Sequence, residues 1–395
     1  MNDTIQLGGN SMGKQTKLTQ NSMTKILIAP DKFKGSLSAF EVCNALAKGL
    51  KKSNSSLDII ACPMADGGDG SLQTINYYLN LKPVELLVND PLFRPIKSTY
   101  YRSQKIAYIE MSSASGLVLL KEEERNCMFT SSFGTGELIA DAIQKGATTI
   151  NLFIGGSATN DGGIGIASAL GYRFFDACEN LLSPIGQNLL LINRIDDSEV
   201  LFKTKEVQVK VICDVNNPFY GKNGAACVYA DQKGASPIEI EQLDQGLVNL
   251  ASKLLSHDYA NIIDIPGAGA AGGVGGGTIA FLRAQLISGI KNFIETTQLE
   301  TLIKDCDFII TGEGKLDSQT EHGKVISGVC QLAKKNSKPI IAVCGDADLP
   351  ISKSLELEKV YTVLSKSKSV DEAIAKAAEK LTLIGHEIGA KFCKH

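Results

Sequence analysis

Residues 25–51 read KILIAPDKFKGSLSAFEVCNALAKGLK, and this stretch decides the fold class. KILIA, from Lys25 to Ala29, is an unalternating apolar run of strand length, the pattern of a strand covered on both faces. A loop, PDKFKGSLS, follows. From about Ser38 to Lys51, Phe40, Ala45, Leu46 and Leu50 then recur at helical spacing. The rhythm repeats at once, because LDIIACP (57–63) reads as a second buried strand and MADGGDGSLQTINYYL (64–79) as a loop and a helix. Successive strand–helix units with apolar strands predict a parallel sheet.

The C-terminal portion repeats the pattern. CDFIITGEG (306–314) is a buried strand opening into a glycine loop, and EHGKVISGVCQLAKKN (321–336) is a helix closed by Pro339. PIIAVCGD and VYTVL are further strands, and DEAIAKAAEKLTLIGHEIGAKF (371–392) is one closing helix. The middle has a different texture. KSTYYR and KIAYIEM read as antiparallel runs, and FGTG, GGSATNDGGIG and PGAGAAGGVGGG as glycine-dense loops. The expected fold is therefore α/β: a Rossmann-like parallel-sheet domain from residues 23–87 and 286–395, with a second α/β domain, 88–285, inserted. Residues 1–22 are polar and aperiodic and read as a disordered extension. No repeat of fixed period is visible.

Composition excludes several classes. Of 395 residues, 44% are hydrophobic and 21% charged, which excludes a wholly disordered chain. Forty basic against 43 acidic side chains give a net charge of −3, so no basic excess exists to neutralise nucleic acid. No uncharged apolar run approaches the roughly 18 residues of a membrane span. Ten cysteines without a CxxC pair, and a start without an apolar signal core, predict reduced thiols in a cytoplasmic protein. Four scattered histidines argue against a zinc site. The sequence leaves open whether copies of the chain associate.

Absent motifs narrow the chemistry further. There is no GxxxxGK[ST], GxSxG, HExxH or EF-hand loop. Gly267, Gly269 and Gly272 match GxGxxG, which motivates an NAD-dependent hydroxy-acid dehydrogenase as an alternative. The segment after them, FLRAQLISGIKNF, is helical in pattern and supplies no strand ending in an acid, as that fingerprint requires.

What remains is a set of strand-to-loop junctions carrying acids, lysines and glycines, where doubly wound sheets bind ligands. After the first strand come Asp31, Lys32, Lys34, Gly35 and Ser36, either an anion cradle at a helix start or N-cap serines with solvated lysines. After the second come Asp66 and Asp69 among glycines, which suit Mg²⁺ or a helix cap. After DFIIT come Gly312, Glu313, Gly314, Lys315 and Asp317, which suit metal, phosphate and base roles or a plain turn. The loop after INLFI holds Ser157, Thr159, Asn160 and Asp161, and VKVICDVNNP ends in Asp214, Asn216 and Asn217. Lys233 sits beside a glycine in YADQKGAS. PGAGAAGGVGGG places seven glycines in twelve positions, and the entropy cost of ordering it points to ligand contact or close domain approach.

Taken in order, IAPDKFKGSLSA, PMADGGDGS, FGTGELI, IGGSATNDGG, CDVNNP, QKGAS, PGAGAAGG and TGEGKLDSQT resemble the bacterial glycerate kinase family, the type without a Walker motif. The resemblance runs from Met23 to the C-terminus. It departs at Lys32, where serine is frequent, at Asp69, where glutamate is common, and at Asp231, where proline usually precedes QKGA. It implies ATP-dependent phosphorylation of D-glycerate, typically to 2-phosphoglycerate, in a cleft between a Rossmann-like and an inserted α/β domain. The implied cofactors are ATP and Mg²⁺.

Phosphoryl transfer needs an in-line hydroxyl, positive charge around the transferring oxygens and an acceptor for the hydroxyl proton. Asp161 is the expected base, with Asp66 and Asp317 as rivals that are equally candidates for Mg²⁺. Lys34 and Lys315 complete the catalytic set. Ser157, Thr159, Asn160, Asp214 and Lys233 are expected to bind substrate. Lys32, Gly35, Ser36, Gly269, Gly272, Gly312 and Gly314 are expected at nucleotide or phosphate, and Asp66, Asp69 and Glu313 at metal. A non-catalytic glycerate-binding protein on the same fold would have lost these acids, and all are present.

Overall fold

A computed structural model describes residues 24–68, 70–200, 206–257, 259–316, 325–348 and 354–392. The expected extension at 1–22 lies outside the described residues, as do Asp69 and Asp317. In chain order the strands are β1 (Lys25–Pro30), β2 (Asp58–Ala61), β3 (Lys82–Asn89), β4 (Pro95–Ser103), β5 (Ile106–Glu110), β6 (Thr149–Phe153) and β7 (Arg173–Phe175). They continue as β8 (Arg194–Asp196), β9 (Gln208–Ile212), β10 (Gln285–Ile287), β11 (Phe308–Leu316), β12 (Ile340–Ala347) and β13 (Lys359–Thr362).

Both ends of the described chain build one all-parallel sheet, ordered β13-β12-β11-β1-β2. Its order reverses between β1 and β11, the place where such sheets bind ligands. The apolar run of β1 has a direct explanation. Ile26 and Ile28 face a core shared with the helices Ala39–Ser53 and Ala377–Phe392, whereas Leu27 and Ala29 face the helices Gly289–Thr297 and Val325–Lys335. Both faces are covered, so neither needs polar residues. Helix Ala39–Ser53 begins where predicted because Ser38 and Glu41 form a reciprocal capping box.

The second sheet is ordered β10-β9-β6-β5-β4-β3. Strands β10, β9, β6 and β5 run parallel, while β5-β4-β3 form the expected antiparallel part. β3 crosses position 88 and β10 crosses 285, yet both pair inside the second sheet, so that sheet begins at Lys82 and ends at Ile287. A small antiparallel pair, β7-β8, stands apart. The two sheets meet through Phe153 and Ile212, the last residues of β6 and β9, which bury in one cluster with Ile290 and Phe293.

Five local expectations need correction. FLRAQLISGIKNF is not helical throughout, since it contains β10. GEG is not a loop, because β11 keeps its pairing with β12 as far as Leu316 opposite Ala347. FGTG opens the helix Phe133–Gln144. The closing helix is two, Val370–Ala375 and Ala377–Phe392, separated at Lys376. PGAGAAGGVGGG mostly enters the buried helix Ala270–Leu282, which is kinked by left-handed backbone at Ala271–Gly273. The nine described cysteines are free thiols, and no described helix is long and apolar enough to cross a membrane.

Candidate active site

The loops that leave the carboxyl ends of β1, β2, β6 and β9 open onto one cavity of about 880 Å³. Lys34, Asp66, Gly67 and Gly68 come from the first sheet, and the second supplies Ile154–Ser157 and Cys213–Pro218. Lys233, Ala270 and Ala271 complete one wall. At the cavity edge the two halves touch backbone to backbone, since a Cβ on Gly155 would lie 2.5 Å from Gly68 Cα. Only glycines fit there.

The wall from the second sheet is built around Lys233. This side chain is 4% exposed, and its Nζ donates to Ser157 Oγ at 2.8 Å and to Thr159 O at 2.7 Å. Burial pulls its pKa down to about 8, opposed by the negative charge of Asp161, and no described carboxylate forms an ion pair with it. The Thr159 hydroxyl and both polar atoms of the Asn160 amide are buried and lack a partner among the described residues. Tyr229 donates to Asn217 Oδ1 at 2.6 Å, a contact on the same wall that no motif announced.

Asp161 does not border this cavity. Its carboxylate is fully buried and accepts from Ser132 N and Oγ, both at 2.7 Å, Gly163 N at 3.0 Å and Gly165 N at 3.2 Å. Burial raises its pKa and these bonds oppose the rise. The carboxylate expected as the base is therefore hydrogen-bonded to the starts of two helices, Phe133–Gln144 and Ile164–Ala169, and is not among the residues that line the cavity. Asp214 does line the cavity, but it accepts from Ser288 Oγ at 2.8 Å, Gly289 N at 2.9 Å and Ile290 N at 3.1 Å. Burial, with the charge of Asp66, pushes its pKa up to about 6 against those bonds.

The opposite wall is acidic. Asp66 borders the cavity and accepts from Gly68 N at 2.9 Å, and no donor among the described residues reaches its Oδ2. Behind it Asp31, at the end of β1, is 6% exposed and accepts from Lys32 N at 2.7 Å. Burial drives the Asp31 pKa well above the ordinary carboxylate value, and the charges of Asp66 and Glu313 add to the rise. Asp31 carried no assigned role in the sequence. The signal was present: an acid directly after a buried strand, at the reversal point of the sheet.

A family model described as the glycerate kinase family matches residues 26–393. Glycerate kinase of Halalkalibacterium halodurans is 41% identical over 356 residues, 89% of this chain and 94% of that protein. Glycerate 2-kinase of Escherichia coli K12 is 40% identical, over 93% of this chain and 97% of its own. A crystal structure described as that of a "putative glycerate kinase 2" from Salmonella typhimurium LT2 is similar with a TM-score of 0.79 and 37% identity, covering 94% of this chain and 98% of that one. This chain belongs to the glycerate kinase family.

In this glycerate kinase family member, five of the expected residues line the one cavity: Lys34, Asp66, Ser157, Asp214 and Lys233. Others stand apart. Lys32, Gly35 and Ser36 line a smaller cavity of about 290 Å³ that shares only Lys34 with the larger one. The helix start beside them is capped by its own side chains. The Glu41 carboxylate accepts Ser38 N at 2.8 Å and Ser38 Oγ at 2.7 Å, while Ser36 Oγ is spent on Ile374 O at 2.9 Å.

Lys315 is exposed on β11 opposite Asp346 and borders neither cavity. Four glycines expected at phosphate lie close to neighbouring backbone. A Cβ on Gly269 would lie 2.2 Å from Pro218 O, on Gly272 2.0 Å from Thr159 O, on Gly312 2.0 Å from Val343 O and on Gly314 3.1 Å from Lys34 N. Thr159 supplies the carbonyl that Lys233 bonds and Asn160 follows it in the chain, while Glu313 is buried in β11.

Proposed function

We propose that this protein transfers the γ-phosphoryl group of ATP to D-glycerate, giving 2-phosphoglycerate, and that it does so with Mg²⁺ in the cytoplasm. The observation that carries the reading is a buried lysine without a carboxylate partner, Lys233, across one cavity from an acidic wall. A buried cation favours an anionic ligand, because its charge is otherwise uncompensated in a region of low dielectric. The carboxylate of a small hydroxy acid supplies that charge. Ser157 Oγ, already aligned by Lys233, is placed to help hold it.

With the carboxylate held there, the hydroxyl end extends toward the first sheet. Asp66 offers an oxygen with no described donor and takes the role expected of Asp161, accepting the hydroxyl proton. Lys34, exposed at the cavity rim, meets the phosphate oxygens. No group of three or more metal-ligating side chains forms among the described residues. Mg²⁺ bound with ATP needs only one or two carboxylates beside the phosphates, and the crowded Asp31 and Glu313 fit that demand, since a cation would relieve the repulsion that adds to the burial-driven rise of the Asp31 pKa. When bound, the ion would neutralise charge on the β- and γ-phosphate oxygens.

The test is an assay with ATP, Mg²⁺ and D-glycerate, with ³¹P NMR of the product. The expected result is ADP formation that depends on D-glycerate and a phosphorus signal of the 2-ester. Absence of transfer overturns the reading, and a 3-ester overturns the regiochemistry alone. NADH absorbance with glycerate or hydroxypyruvate is expected to stay flat.

A further inference from the structure

The Asp214 carboxylate was expected at the substrate, but all its hydrogen bonds go to a segment that belongs to the other half of the molecule. Asp214 lies two residues past the end of β9 of the second sheet. Its donors, Ser288 Oγ, Gly289 N and Ile290 N, open the helix Gly289–Thr297, whose Ile290 and Phe293 pack beneath the first sheet. An N-terminal helix turn is a good partner for a carboxylate, so the link is directional and strong for its size.

The helix start held in this way is also the surface on which Asp66 rests. A Cβ at Gly289 would lie 2.2 Å from Asp66 O and 2.6 Å from Asp214 Oδ2, so the Asp66 peptide, the Gly289 Cα and the Asp214 carboxylate are stacked in contact. Neither spare volume nor a flexible side chain separates them. Moving the start of this helix therefore moves the Asp66 backbone, and Asp66 is a wall of the cavity.

We propose that Asp214 is a positioning residue: by clamping the Ser288–Ile290 turn it fixes Asp66 relative to the second-sheet wall that carries Lys233. This rests on the kinase reading above, with Asp66 as proton acceptor. Asp214 itself touches neither substrate nor phosphate. Its role is to keep one reacting group of the first sheet in register with a binding group of the second.

The experiment is a double-mutant cycle in the full chain. Asp214→Asn reverses the polarity of one of the two carboxylate positions facing three donors. It is expected to lower kcat roughly tenfold to a hundredfold, as sub-ångström to ångström misplacements do, with KM for D-glycerate within about twofold. In an Asp66→Asn background the same change is expected to lower kcat by less than about threefold, because the group it positions is already gone. The melting temperature falls by the same amount in both backgrounds. Equal losses of kcat in both backgrounds would make Asp214 a merely structural residue and overturn the proposal, as would a rise in KM at constant kcat. Should Asp214→Asn fail to fold, Ser288→Ala removes one donor and is expected to lower kcat roughly fivefold with KM unchanged, the effect of one hydrogen bond. An unchanged kcat there overturns the proposal too. A wild-type protein that transfers no phosphoryl group sinks the kinase reading, whereas an active wild type with an unaffected Asp214→Asn sinks the clamp alone.

Discussion

The two walls of the cavity are made by the same device, a loop leaving the carboxyl end of a parallel strand, but they use their charges in opposite ways. On the wall from the first sheet, Asp31, Asp66 and Glu313 crowd one another, and one of them faces the open space. On the wall from the second, both acids are consumed. Asp161 holds two helix starts and Asp214 a third, which leaves Lys233 as the charge that meets the cavity. An acid after a strand is therefore not one kind of residue. What separates a chemical carboxylate from a structural one is the number of N–H donors its oxygens already satisfy, and that number depends on distant segments such as Ser132 and Ser288.

The hardest test of that contrast sets Asp66 against Asp161. Asp66→Asn is expected to cut kcat by about a hundredfold or more, the range of general-base contributions, with little change in melting temperature. Asp161→Asn should behave in reverse. It turns an oxygen that accepts backbone N–H bonds into a donor in a fully buried place, at a stability cost of roughly 2–4 kcal/mol, and the protein that remains folded should keep its kcat. Urea denaturation beside steady-state kinetics separates the two. Loss of kcat without loss of stability in Asp161→Asn would erase the distinction between the walls.

Lys233 carries the next largest effect. Lys233→Met should raise KM for D-glycerate by roughly a hundredfold, the loss of a buried charged partner, and leave the KM for ATP nearly unchanged. The same lysine predicts a pH dependence. Only the ammonium form holds a carboxylate, so affinity for glycerate should fall as pH rises through about 8. In the empty protein the sign is reversed. The pKa is lowered from 10.5 to about 8, so between those values the unfolded chain binds more protons and this group makes folding more favourable as pH rises. Glycerate affinity flat from pH 7 to 9 would place the carboxylate elsewhere.

The fold was largely readable because its signals are local. KILIA is apolar throughout since both faces of β1 are covered, and Ser38 with Glu41 marks a helix start within four residues. The order of the eight motifs also carried the family. What was not readable depends on contacts far along the chain. Ser132 decides the fate of Asp161 from 29 positions away, and the Ser288–Ile290 turn decides that of Asp214 from 74 to 76. The glycine run failed for a related reason. Gly272 and Gly269 meet the backbone of Thr159 and Pro218, so the close approach made by the segment is to loops of its own half of the molecule.

The contact between the walls is itself testable. Gly155→Ala places a methyl 2.5 Å from Gly68 Cα, where only backbone can yield. The expected cost is roughly 1–3 kcal/mol of stability, as for other overpacking changes. Because the shift opens the cavity between Asp66 and Lys233, kcat/KM should fall roughly tenfold, by the same sensitivity to small misplacements. Gly146→Ala is a useful control, since its Cβ would meet nothing within 4 Å, although its φ of +85° also strains alanine. A kcat/KM in Gly155→Ala no lower than in that control would mean that the two walls tolerate separation.

The smallest expected effect bears on how complete the acidic wall is. Lys315 was expected in the catalytic set, yet it stands exposed on β11, paired in register with Asp346 and outside both cavities. If the walls act in the arrangement described, Lys315→Ala behaves as an exposed strand substitution, changing stability by no more than about 0.5 kcal/mol. Its kcat and both KM values should stay within about twofold, a change of roughly 0.4 kcal/mol in barrier terms. A KM for ATP raised tenfold with the KM for glycerate unchanged would instead bring Lys315 to the phosphates in the working enzyme. The first-sheet wall would then be assembled by movement of the β11 end, while the second-sheet wall, with Lys233 already buried on its partners, is preformed.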